Sequence, residues 1–245
     1  MTTLITGAGL IGRLTADYLM ARGDGVVLVD VREPDPQDLG RIAFERCDIT
    51  DAPALDRIVE RHGIRSIVHT AAMLSTAIRQ HPARGVHVNV GGTANILEVA
   101  RQHSLDRVVC ASSTTVAYTS FGRHGPEPIE EDVALHVVSE RPASIYAATK
   151  LAGEHLAQLY CDQMGLDVIV LRYAAVLGGR STVPSSVPGR LLALLVDGGR
   201  TGERVILQDP LLLWGGKEEF VDARDCARAN IHALDFEGLS ARSII

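Results

Sequence analysis

The amino-acid sequence predicts an α/β protein built on a doubly wound parallel sheet, with a small lobe at its C-terminal end. Three observations predict this fold. Short runs rich in Val and Ile alternate with longer helical patterns. These runs are almost continuously apolar, as in strands that are buried on both faces of a parallel sheet. The 23 glycines among 245 residues, together with only 4% aromatic residues, suit tight strand–helix turns better than a β-sandwich.

Six strands and four helices alternate over the first part of the chain. The predicted strands are Thr3–Thr6, Val26–Asp30, Ile42–Cys47, Ser66–Thr70, Arg107–Ala111 and Asp167–Arg172. The helical patterns between them are Ile11–Arg22, Pro53–His62, Gly91–His103 and Ile145–Met164. Asp51 is a suitable N-cap for the second of these helices. Parallel strands joined by helices need right-handed crossovers, so the carboxyl ends of the strands meet at one ligand-binding edge of the sheet.

Beyond Arg172 the alternation weakens. The predicted elements are a loop, a short helix, a turn, a further helix and a strand, at Gly178–Gly189, Arg190–Val196, Gly198–Gly202, from near Asp222, and Arg242–Ile245. We therefore expect a main domain over residues 1–176 and a small substrate-binding lobe over residues 177–245. Within that lobe, we expect residues 220–235 to return to the main domain.

Composition and charge exclude several classes of protein. A hydrophobic content of 46% is ordinary for a globular protein and argues against an intrinsically disordered chain. The net charge of −6 offers no cationic surface to nucleic acid or to anionic lipid. No apolar run reaches the roughly 18 residues that a membrane-spanning helix needs. We therefore expect neither a nucleic-acid partner nor a membrane partner.

The N-terminus and the cysteines favour a cytoplasmic protein. The first residues include no basic segment and no cleavage-like site, so we expect no signal peptide. The four cysteines lie far apart and form no CxxC pair, which favours buried, reduced thiols over disulfides. No cluster of His, Cys and carboxylate residues has the spacing of a zinc site, so we expect no bound metal.

A glycine-rich turn follows the first predicted strand. The segment Gly7-Ala8-Gly9-Leu10-Ile11-Gly12 matches the GxGxxG pattern between a strand and a helix, which is the context of a dinucleotide-binding Rossmann fold. The glycines permit close approach of the backbone to a pyrophosphate, and the helix N-terminus offers N–H groups to the phosphates. We therefore expect Gly7, Gly9, Leu10, Ile11 and Gly12 to bind a cofactor. The competing interpretation is a plain strand–turn–helix.

The second predicted strand ends in Asp30, eighteen residues after Gly12. A carboxylate at this point accepts hydrogen bonds from the adenosine ribose hydroxyls and repels a 2′-phosphate, so it favours NAD over NADP. Arg32 is the opposing feature, because an arginine here can hold a 2′-phosphate. Asp48 is a candidate for binding the adenine amino group, with Ile49 packed on the ring. Asp48 equally suits a turn or a helix cap.

Tyr146 and Lys150 are four residues apart and share one face of a predicted helix. A free tyrosine, with a pKa of about 10, is a poor base at neutral pH, but a nearby ammonium and an oxidised nicotinamide favour the phenolate. Lowering the pKa to about 7 requires roughly 4 kcal/mol, much of which one close cation can supply in a partly dry site. The segment Ser112–Thr115 offers hydroxyl groups to a substrate carbonyl or alcohol. An ordinary amphipathic pair is the competing interpretation of the spacing.

Together these residues resemble the short-chain dehydrogenase/reductase superfamily, in particular its extended branch, the NAD-dependent epimerase/dehydratase family. The resemblance extends from Thr3 to about Leu234. The motifs that carry it occur in the order found in that family. They are Thr6–Gly12, Cys47–Asp51, His69–Ala72, Asn89–Thr93, Ala111–Tyr118, Tyr146–Lys150, Leu171–Gly178 and Phe220–Ala227.

The resemblance implies an enzyme in which Tyr146 is the general acid/base, while Lys150 lowers its pKa and binds the nicotinamide ribose. Thr114, four positions before Tyr118, is the implied substrate-binding hydroxyl, with Ser113 as the alternative. The resemblance also implies a homodimer, in which the helices at 91–103 and 145–164 form a four-helix interface. The remaining implied cofactor contacts are Thr70, Ala71, Ala72, Asn89, Ala111, Ser112, Tyr173 and Val176.

Three departures from the family pattern bear on the reaction. The extended branch reads TGxxGxxG, whereas this chain has one residue fewer between Thr6 and Gly9. Members that act on nucleotide sugars often place Arg-Asp where this chain has Glu218-Glu219, and each carboxylate repels a diphosphate by about 1 kcal/mol or more. Dehydratases place Asp-Glu where this chain has Thr115-Val116, so dehydration is the least favoured reaction.

The expected function is therefore NAD-dependent hydride transfer, by a dehydrogenase or an epimerase, on a sugar, sugar acid or nucleotide sugar. A small carbohydrate-derived or other hydroxy or keto compound is favoured at least equally with a nucleotide sugar. Arg172, Arg180 and Arg190 are candidates to pair with a substrate anion. The rival interpretation is a non-catalytic NAD(P)-binding sensor, but such proteins typically lack the Tyr/Lys pair.

Overall fold

Six parallel strands form the central sheet in a computed structural model that describes residues 1–120, 130, 144–178, 187–207 and 219–237. The strands are Thr2–Thr6 (β1), Gly25–Asp30 (β2), Ala43–Arg46 (β3), Ser66–His69 (β4), Arg107–Ser113 (β5) and Val168–Tyr173 (β6). Their order across the sheet is β3-β2-β1-β4-β5-β6. The predicted doubly wound parallel sheet is therefore confirmed, with all six of its strands.

Helices cover both faces of this sheet. They are Leu10–Arg22 (α1), Pro36–Leu39 (α2), Ala52–His62 (α3), Ser75–Gln80 (α4), Pro82–Val86 (α5), Gly92–Gln102 (α6), Ile145–Met164 (α7), Val187–Thr201 (α8) and Ala223–Asp235 (α9). A π-helical turn at His87–Gly91 precedes α6, and a 3₁₀ segment at Thr114–Ser120 follows β5. The four long helices that the sequence predicts correspond to α1, α3, α6 and α7.

Successive residues of the strands point to opposite faces of the sheet, so each strand contributes to two apolar layers. Leu4 of β1 packs in one layer with Leu55 of α3 and Ile96 of α6, whereas its neighbour Ile5 packs in the other layer with Leu19 of α1. All five side chains are fully buried. Because both faces are covered, nearly every strand position is apolar, and this is the pattern from which the sequence predicts a parallel sheet.

Helix α8 differs from the prediction. It extends over Val187–Thr201, so it begins before the predicted helix Arg190–Val196 and continues through most of the predicted turn Gly198–Gly202. Each glycine weakens a helix by about 1 kcal/mol, but the helical turns already formed outweigh that cost because helix extension is cooperative. Gly202, with a φ of 74°, follows the end of the helix. The predicted strand Arg242–Ile245 lies outside the described residues.

Three elements bring the chain back to the sheet after residue 174. The short strands Ala175–Leu177 (β7) and Phe220–Asp222 (β8) pair in parallel, and α9 follows β8 directly. α9 then packs beside α1, where Asn230 donates a hydrogen bond to Thr15 at 3.0 Å and accepts one from the Tyr173 hydroxyl at 2.5 Å. Residues 223–235 therefore lie on the α1 face of the sheet.

The described ranges include no helix that combines the length and apolar character needed to cross a bilayer. Within the same residues, no group of three or more His, Cys, Asp and Glu side chains is arranged to hold a metal ion. The four cysteines are free and buried, and burial raises the pKa of each thiol. The thiols are therefore protonated and unreactive at neutral pH.

Candidate active site

The turn between β1 and α1 is closely packed at two glycines and open at a third. Gly7 has a φ of 93°, and a Cβ added there would lie 2.8 Å from the backbone nitrogen of Ala71. A Cβ on Gly12 would lie 1.9 Å from the Gly7 carbonyl oxygen, whereas one on Gly9 would meet nothing within 4 Å. Gly9 is the N-cap of α1, so the open space lies at the positive end of that helix.

Two side chains fasten this turn. The Asp30 carboxylate, at the end of β2, accepts hydrogen bonds from the backbone N–H of Ala8 at 2.7 Å and of Arg32 at 3.0 Å. The Thr70 hydroxyl, just after β4, donates to the Thr6 carbonyl at 2.8 Å. The structure thus brings Asp30 and Thr70 together at the glycine turn.

This turn fits the dinucleotide that the sequence predicts. An anion placed beside Gly9 meets helix N–H groups with no side chain in the way. The Asp30 carboxylate has four lone-pair sites, so it retains acceptor capacity for ribose hydroxyls in addition to its two backbone bonds. The same negative charge repels a 2′-phosphate. The geometry therefore fits a pyrophosphate beside an acid, which suits NAD better than NADP, and binding at this turn stays a prediction.

Each of the last three residues of β5 binds one residue on a single face of α7. The pairs are Ala111 with Lys150, Ser112 with Glu154, and Ser113 with Tyr146. The Ala111 carbonyl accepts from the Lys150 ammonium at 2.8 Å, and the Ser112 hydroxyl donates to the Glu154 carboxylate at 2.5 Å. A spacing of four residues places the three α7 side chains in line along the helix. Three consecutive residues at the end of β5 therefore each contact one residue of this row on α7.

The N-cap of α7 determines where Tyr146 lies. The Ser144 hydroxyl accepts a hydrogen bond from the backbone N–H of Ala147 at 3.1 Å, which satisfies one of the free donors of the first turn. The helix then continues to Met164 and ends at Gly165, which has a φ of 70°. Tyr146 therefore occupies the first turn of a long helix, whose packing on the sheet fixes its position.

Burial, rather than the neighbouring ammonium, sets the proton affinity of the Tyr146 phenol. Desolvation raises the pKa of Tyr146 to about 12, and the hydrogen bond with Ser113 opposes that shift. The Lys150 amine lies over the face of the ring, 5.8 Å from its centre. Burial also lowers the pKa of Lys150 to about 8. In the protein without a positively charged cofactor, the Tyr146 phenol is therefore protonated at neutral pH, and the expectation that Lys150 and an oxidised nicotinamide together favour the phenolate stays a prediction.

Of the two candidate hydroxyls, Ser113, the alternative, makes the contact with the Tyr146 phenol. Ser113 is the last residue of β5 and is buried, whereas Thr114 begins the 3₁₀ segment. The Ser113 oxygen also accepts a hydrogen bond from the Thr115 hydroxyl at 3.0 Å. Ser113 is therefore the hydroxyl in contact with Tyr146, while the choice between Thr114 and Ser113 as the substrate-binding hydroxyl stays open.

Asn89, in the π-helical turn before α6, lies between the loop after β4 and helix α7. Its amide nitrogen donates to the Met73 carbonyl at 3.0 Å and to the Thr149 hydroxyl at 3.1 Å. Its oxygen accepts from the Met73 backbone N–H at 2.7 Å. Asn89 is buried, so it braces the loop after β4 against α7 and leaves ligand contacts to other residues.

His69, at the end of β4, is a buried neutral imidazole. Its Nδ1 lies 2.7 Å from the Thr6 hydroxyl and its Nε2 lies 3.0 Å from the Thr93 hydroxyl. Because the Thr93 hydroxyl donates its own proton to the Asn89 carbonyl, we assign the imidazole hydrogen to Nε2. Burial first, and then the charge of Lys150, lower the pKa of His69 to about 3.

Two residues predicted to contact adenine have other partners. Ile49 is 5% exposed and packs in the core against Gly92, where an added Cβ would lie 2.4 Å from the Ile49 side chain. The Asp48 carboxylate accepts from the backbone N–H of Thr50 at 3.0 Å and from its hydroxyl at 2.8 Å, both on Oδ1. Asp48 thus forms a local turn, and the contacts of Asp48 and Ile49 with an adenine ring stay predictions.

Two residues predicted to contact ligands near the end of β6 are also engaged elsewhere. The Tyr173 hydroxyl is bonded to Asn230, and burial strongly raises the pKa of Tyr173. The Arg172 guanidinium pairs with Glu154 at 2.7 Å, so it is not directed at a substrate anion. Val176, in β7, pairs with Val221. Arg180 and Glu218 lie outside the described residues.

Glu154 is not among the residues predicted from the sequence, although two patterns point to this face of α7. Glu154 lies four residues after Lys150, which puts a carboxylate in line with the predicted catalytic pair. The second pattern is lysine usage. Of the 24 lysines and arginines, only Lys150 and Lys217 are lysines. The chain uses arginine almost everywhere else, which marks position 150 as one where an amine is required.

Comparisons with known proteins agree with this geometry. The chain matches the model of the NAD dependent epimerase/dehydratase family over residues 3–244. It is 28% identical over 242 residues to a putative UDP-glucose 4-epimerase of Methanocaldococcus jannaschii, which covers 97% of this chain and 74% of the relative. It is also 28% identical over 245 residues to the mitochondrial L-threonine 3-dehydrogenase of Sus scrofa, which covers 98% of this chain and 62% of the relative.

A solved structure gives the same result. The UDP-glucose 4-epimerase of Thermus thermophilus, in complex with NAD, aligns with a TM-score of 0.77 at 29% identity, over 100% of this chain and 77% of that chain. This chain is shorter than its relatives and spans about half the length of several curated ones. Because the family model matches nearly all of its residues, the chain belongs to the NAD-dependent epimerase/dehydratase family, as the motifs in its sequence indicate.

Proposed function

We propose that this protein transfers a hydride between NAD and a hydroxyl-bearing carbon of a small, carbohydrate-derived substrate, with Tyr146 as the proton donor and acceptor. One observation carries this proposal. The Tyr146 phenol, hydrogen-bonded to Ser113 and covered by Lys150, lies at the carboxyl end of β5. This is the same edge of the parallel sheet as the glycine turn after β1.

The cofactor site is assigned to residues at that edge. The backbone around Gly9 would hold the pyrophosphate, Asp30 the adenosine ribose and Lys150 the nicotinamide ribose. Bound NAD supplies the hydride acceptor and, when oxidised, a positive charge. The T. thermophilus relative was solved with NAD, which supports the choice of cofactor.

The protein's own groups supply proton transfer and orientation. With a pKa raised to about 12, the Tyr146 phenol is protonated at neutral pH and ready to donate to a carbonyl oxygen that is being reduced. In the reverse direction Tyr146 accepts the alcohol proton, which requires stabilisation of the phenolate by nearby positive charge. Ser113 is placed to orient the reacting oxygen through its hydroxyl. Oxidation and reduction therefore use the same two residues, Tyr146 and Ser113. Tyr146 is a phenolate at the start of oxidation and a phenol at the start of reduction.

The substrate class follows from the charges near β8. Glu219, which immediately precedes β8, is exposed, and its carboxylate disfavours a diphosphate group. Two relatives of this chain are named a putative UDP-glucose 4-epimerase and an L-threonine 3-dehydrogenase, so the names of relatives include both a nucleotide sugar and a small hydroxy acid. We propose a free sugar, a sugar acid or another small hydroxy acid first, and a nucleotide sugar second. Epimerisation differs from oxidation in that the hydride returns to the opposite face of the carbonyl intermediate, so the cofactor is restored and retained.

We also propose a cytoplasmic homodimer in which α6 and α7 of two subunits pack together. The outer surface of α7 carries exposed apolar side chains, including Leu159 at 48% and Met164 at 55% exposure. Sedimentation that shows only a monomer of 26.3 kDa would count against the dimer.

The proposed reaction is tested with NAD and a panel of UDP-glucose, UDP-glucuronate, free glucuronate and L-threonine. Net NADH absorbance supports a dehydrogenase, and an isomerised product without net NADH supports an epimerase. We expect Tyr146→Phe to lower kcat by about 10²- to 10⁴-fold while NAD affinity is retained, because the variant loses only the proton-transfer group. Tyr160→Phe, on the same helix but bonded to Glu98, is the matched control and should retain activity.

Two outcomes would contradict the proposal. Turnover that is unaffected in Tyr146→Phe would exclude the assigned acid/base. Tight NAD binding with no turnover of any substrate in the panel would favour a sensor that binds the dinucleotide without using it.

A further inference from the structure

Glu154 is a charged side chain buried beside the Tyr146 and Lys150 pair. It is only 1% exposed. Its carboxylate accepts hydrogen bonds from the Ser112 hydroxyl at 2.5 Å and from the Arg172 Nε and Nη2 atoms at 2.9 and 2.7 Å. A buried ion pair rarely stabilises a fold more than apolar residues of the same size. Stability alone therefore does not account for a buried carboxylate at this position.

Glu154 and Lys150 face the same small space. Both line a cavity of about 20 Å³ between α7 and strands β4 to β6, together with polar groups such as Asn89 and Thr93. At a spacing of four residues on a helix, their Cβ atoms lie about 6 Å apart. In such a buried setting, the attraction of a carboxylate for an ammonium is much less screened than in water.

We infer that Glu154, fixed by Arg172 and Ser112, is a positioning residue that keeps Lys150 charged and aligned with Tyr146. The inference rests on the proposed function, in which Lys150 acts as a cation. Ser112 lies between the β5 residue that binds Lys150 and the one that binds Tyr146. The bond from Ser112 to Glu154 therefore fixes the strand segment that holds both members of the pair.

Each element around Lys150 contributes groups that affect its charge. They are His69 on β4, Cys110 on β5, Arg172 on β6, and Tyr146 and Glu154 on α7. Burial is the largest influence and lowers the pKa of Lys150 to about 8, while Cys110 and Glu154 oppose that shift. The Cys110 thiol, with a pKa of about 12, is protonated at neutral pH. Among these groups, the Glu154 carboxylate is therefore the anion that retains the proton on Lys150.

The scarcity of lysine makes this inference directly testable. In a Lys217→Arg background, Lys150 is the only lysine of the chain, so carbon-13 labelling at lysine Cε gives one NMR titration. We expect Glu154→Gln to lower the Lys150 midpoint by about one pH unit or more, because the opposing charge is lost. Glu154→Asp, which retains the charge, should restore most of the midpoint. Glu98→Gln removes an exposed, paired carboxylate on α6 and should leave the midpoint unchanged.

An unchanged Lys150 midpoint in Glu154→Gln overturns the inference. If that variant does not fold, as judged from its amide spectrum, the titration is repeated in an osmolyte such as sucrose, which favours the compact state. The midpoint must then still fall, and an unchanged value overturns the inference equally. The titration needs neither substrate nor NAD, so its result is independent of turnover. If the Lys150 midpoint shifts in Glu154→Gln but the wild-type protein turns over no substrate, only the proposed function is contradicted. If the enzyme is active but the midpoint does not shift, only the role of Glu154 is contradicted.

Discussion

His69 makes the stability of the fold sensitive to acid. Its pKa is lowered from 6.5 to about 3 by burial, so between these pH values the unfolded chain binds a proton that the folded chain does not. The contribution of His69 to stability is therefore complete above pH 6.5 and is lost as the pH falls towards 3. The cause is burial first and the positive charge of Lys150 second, acting on an imidazole whose two ring nitrogens are bonded to the hydroxyls of Thr6 and Thr93.

We predict that lowering the pH from 7 to 5 destabilises the protein by about 2 kcal/mol through this residue. His69→Gln gains no proton on unfolding and should lose that part of the pH dependence, although it is less stable at both pH values. Urea unfolding at pH 7 and pH 5 measures the difference for each protein. Equal differences in the two proteins would exclude His69 as the cause.

At single residues, the sequence indicates which side chains share one face of a helix better than it indicates their pKa values. The spacing of Tyr146 and Lys150 is visible in the printed letters, because a helix repeats every 3.6 residues. The raised pKa of Tyr146 depends on how much surrounding protein excludes water, which no local pattern records. The same limit applies to Ile49. An apolar residue after a strand is as suited to the core as to a ligand, and only the close approach of Gly92 shows its packing in the core.

Two glycines of the turn between β1 and α1, Gly12 and Gly9, have different physical roles. Gly12 allows the backbone of α1 to touch the Gly7 carbonyl, so a side chain there has no space. Gly9, by contrast, has an ordinary φ of −71° and faces open space. Gly9 can therefore be substituted without disturbing the fold, whereas Gly12 cannot.

We predict that Gly9→Ala retains the wild-type free energy of unfolding but binds NAD at least about tenfold more weakly, because the methyl group occupies the pyrophosphate space and tenfold corresponds to about 1.4 kcal/mol. Gly12→Ala should instead lose roughly 2 kcal/mol or more of stability through overpacking. Urea unfolding and calorimetric titration with NAD separate the two effects. Wild-type affinity in Gly9→Ala would show that the pyrophosphate binds elsewhere.

Elements that contain several repeats of their own pattern could be predicted, and shorter ones could not. The helices α1, α3, α6 and α7 span three or more helical turns, and the strands, with four to seven residues, show apolar runs bounded by turns. The helices α2, α4 and α5 have four to six residues, too few to distinguish a helical repeat from a loop. The π-helical turn at His87–Gly91 is likewise invisible, because a single inserted residue leaves the apolar pattern almost unchanged.

Arg107 ties the last described helix to the sheet. Its guanidinium pairs with Asp167 at 2.7 Å and donates to the carbonyls of Ala233 at 2.8 Å and Phe236 at 2.6 Å, at the C-terminal end of α9. The Arg107 side chain is only 12% exposed. One residue therefore joins β5, the start of β6 and the end of α9.

We predict that Arg107→Met lowers the free energy of unfolding by about 2 to 3 kcal/mol, because the carboxylate and the helix carbonyls lose their partner in a largely buried site. Arg65→Met is the matched control, since Arg65 pairs with Asp106 at the surface. It should cost no more than about 1 kcal/mol. Equal losses, measured by urea unfolding, would mean that the contacts of Arg107 with α9 contribute little.

At the scale of the whole molecule, the parallel sheet could be predicted but the partner of its first helix could not. Strands and helices alternate locally, so their order leads directly to the topology. The contact between Thr15 of α1 and Asn230 of α9 joins residues 215 positions apart. Neither segment carries a local pattern that identifies the other as its partner, because a polar side chain within a helix is compatible with many neighbours.

The same long-range contact affects how the chain matures on the ribosome. α1 is made early, whereas α9, which packs beside it, is made roughly 200 residues later. At synthesis rates of roughly 5–20 residues per second, this delay lasts about 10–40 s. Until α9 follows, Thr15 of α1 lacks its Asn230 partner, so this face of α1 is completed only after all six strands of the sheet have been made.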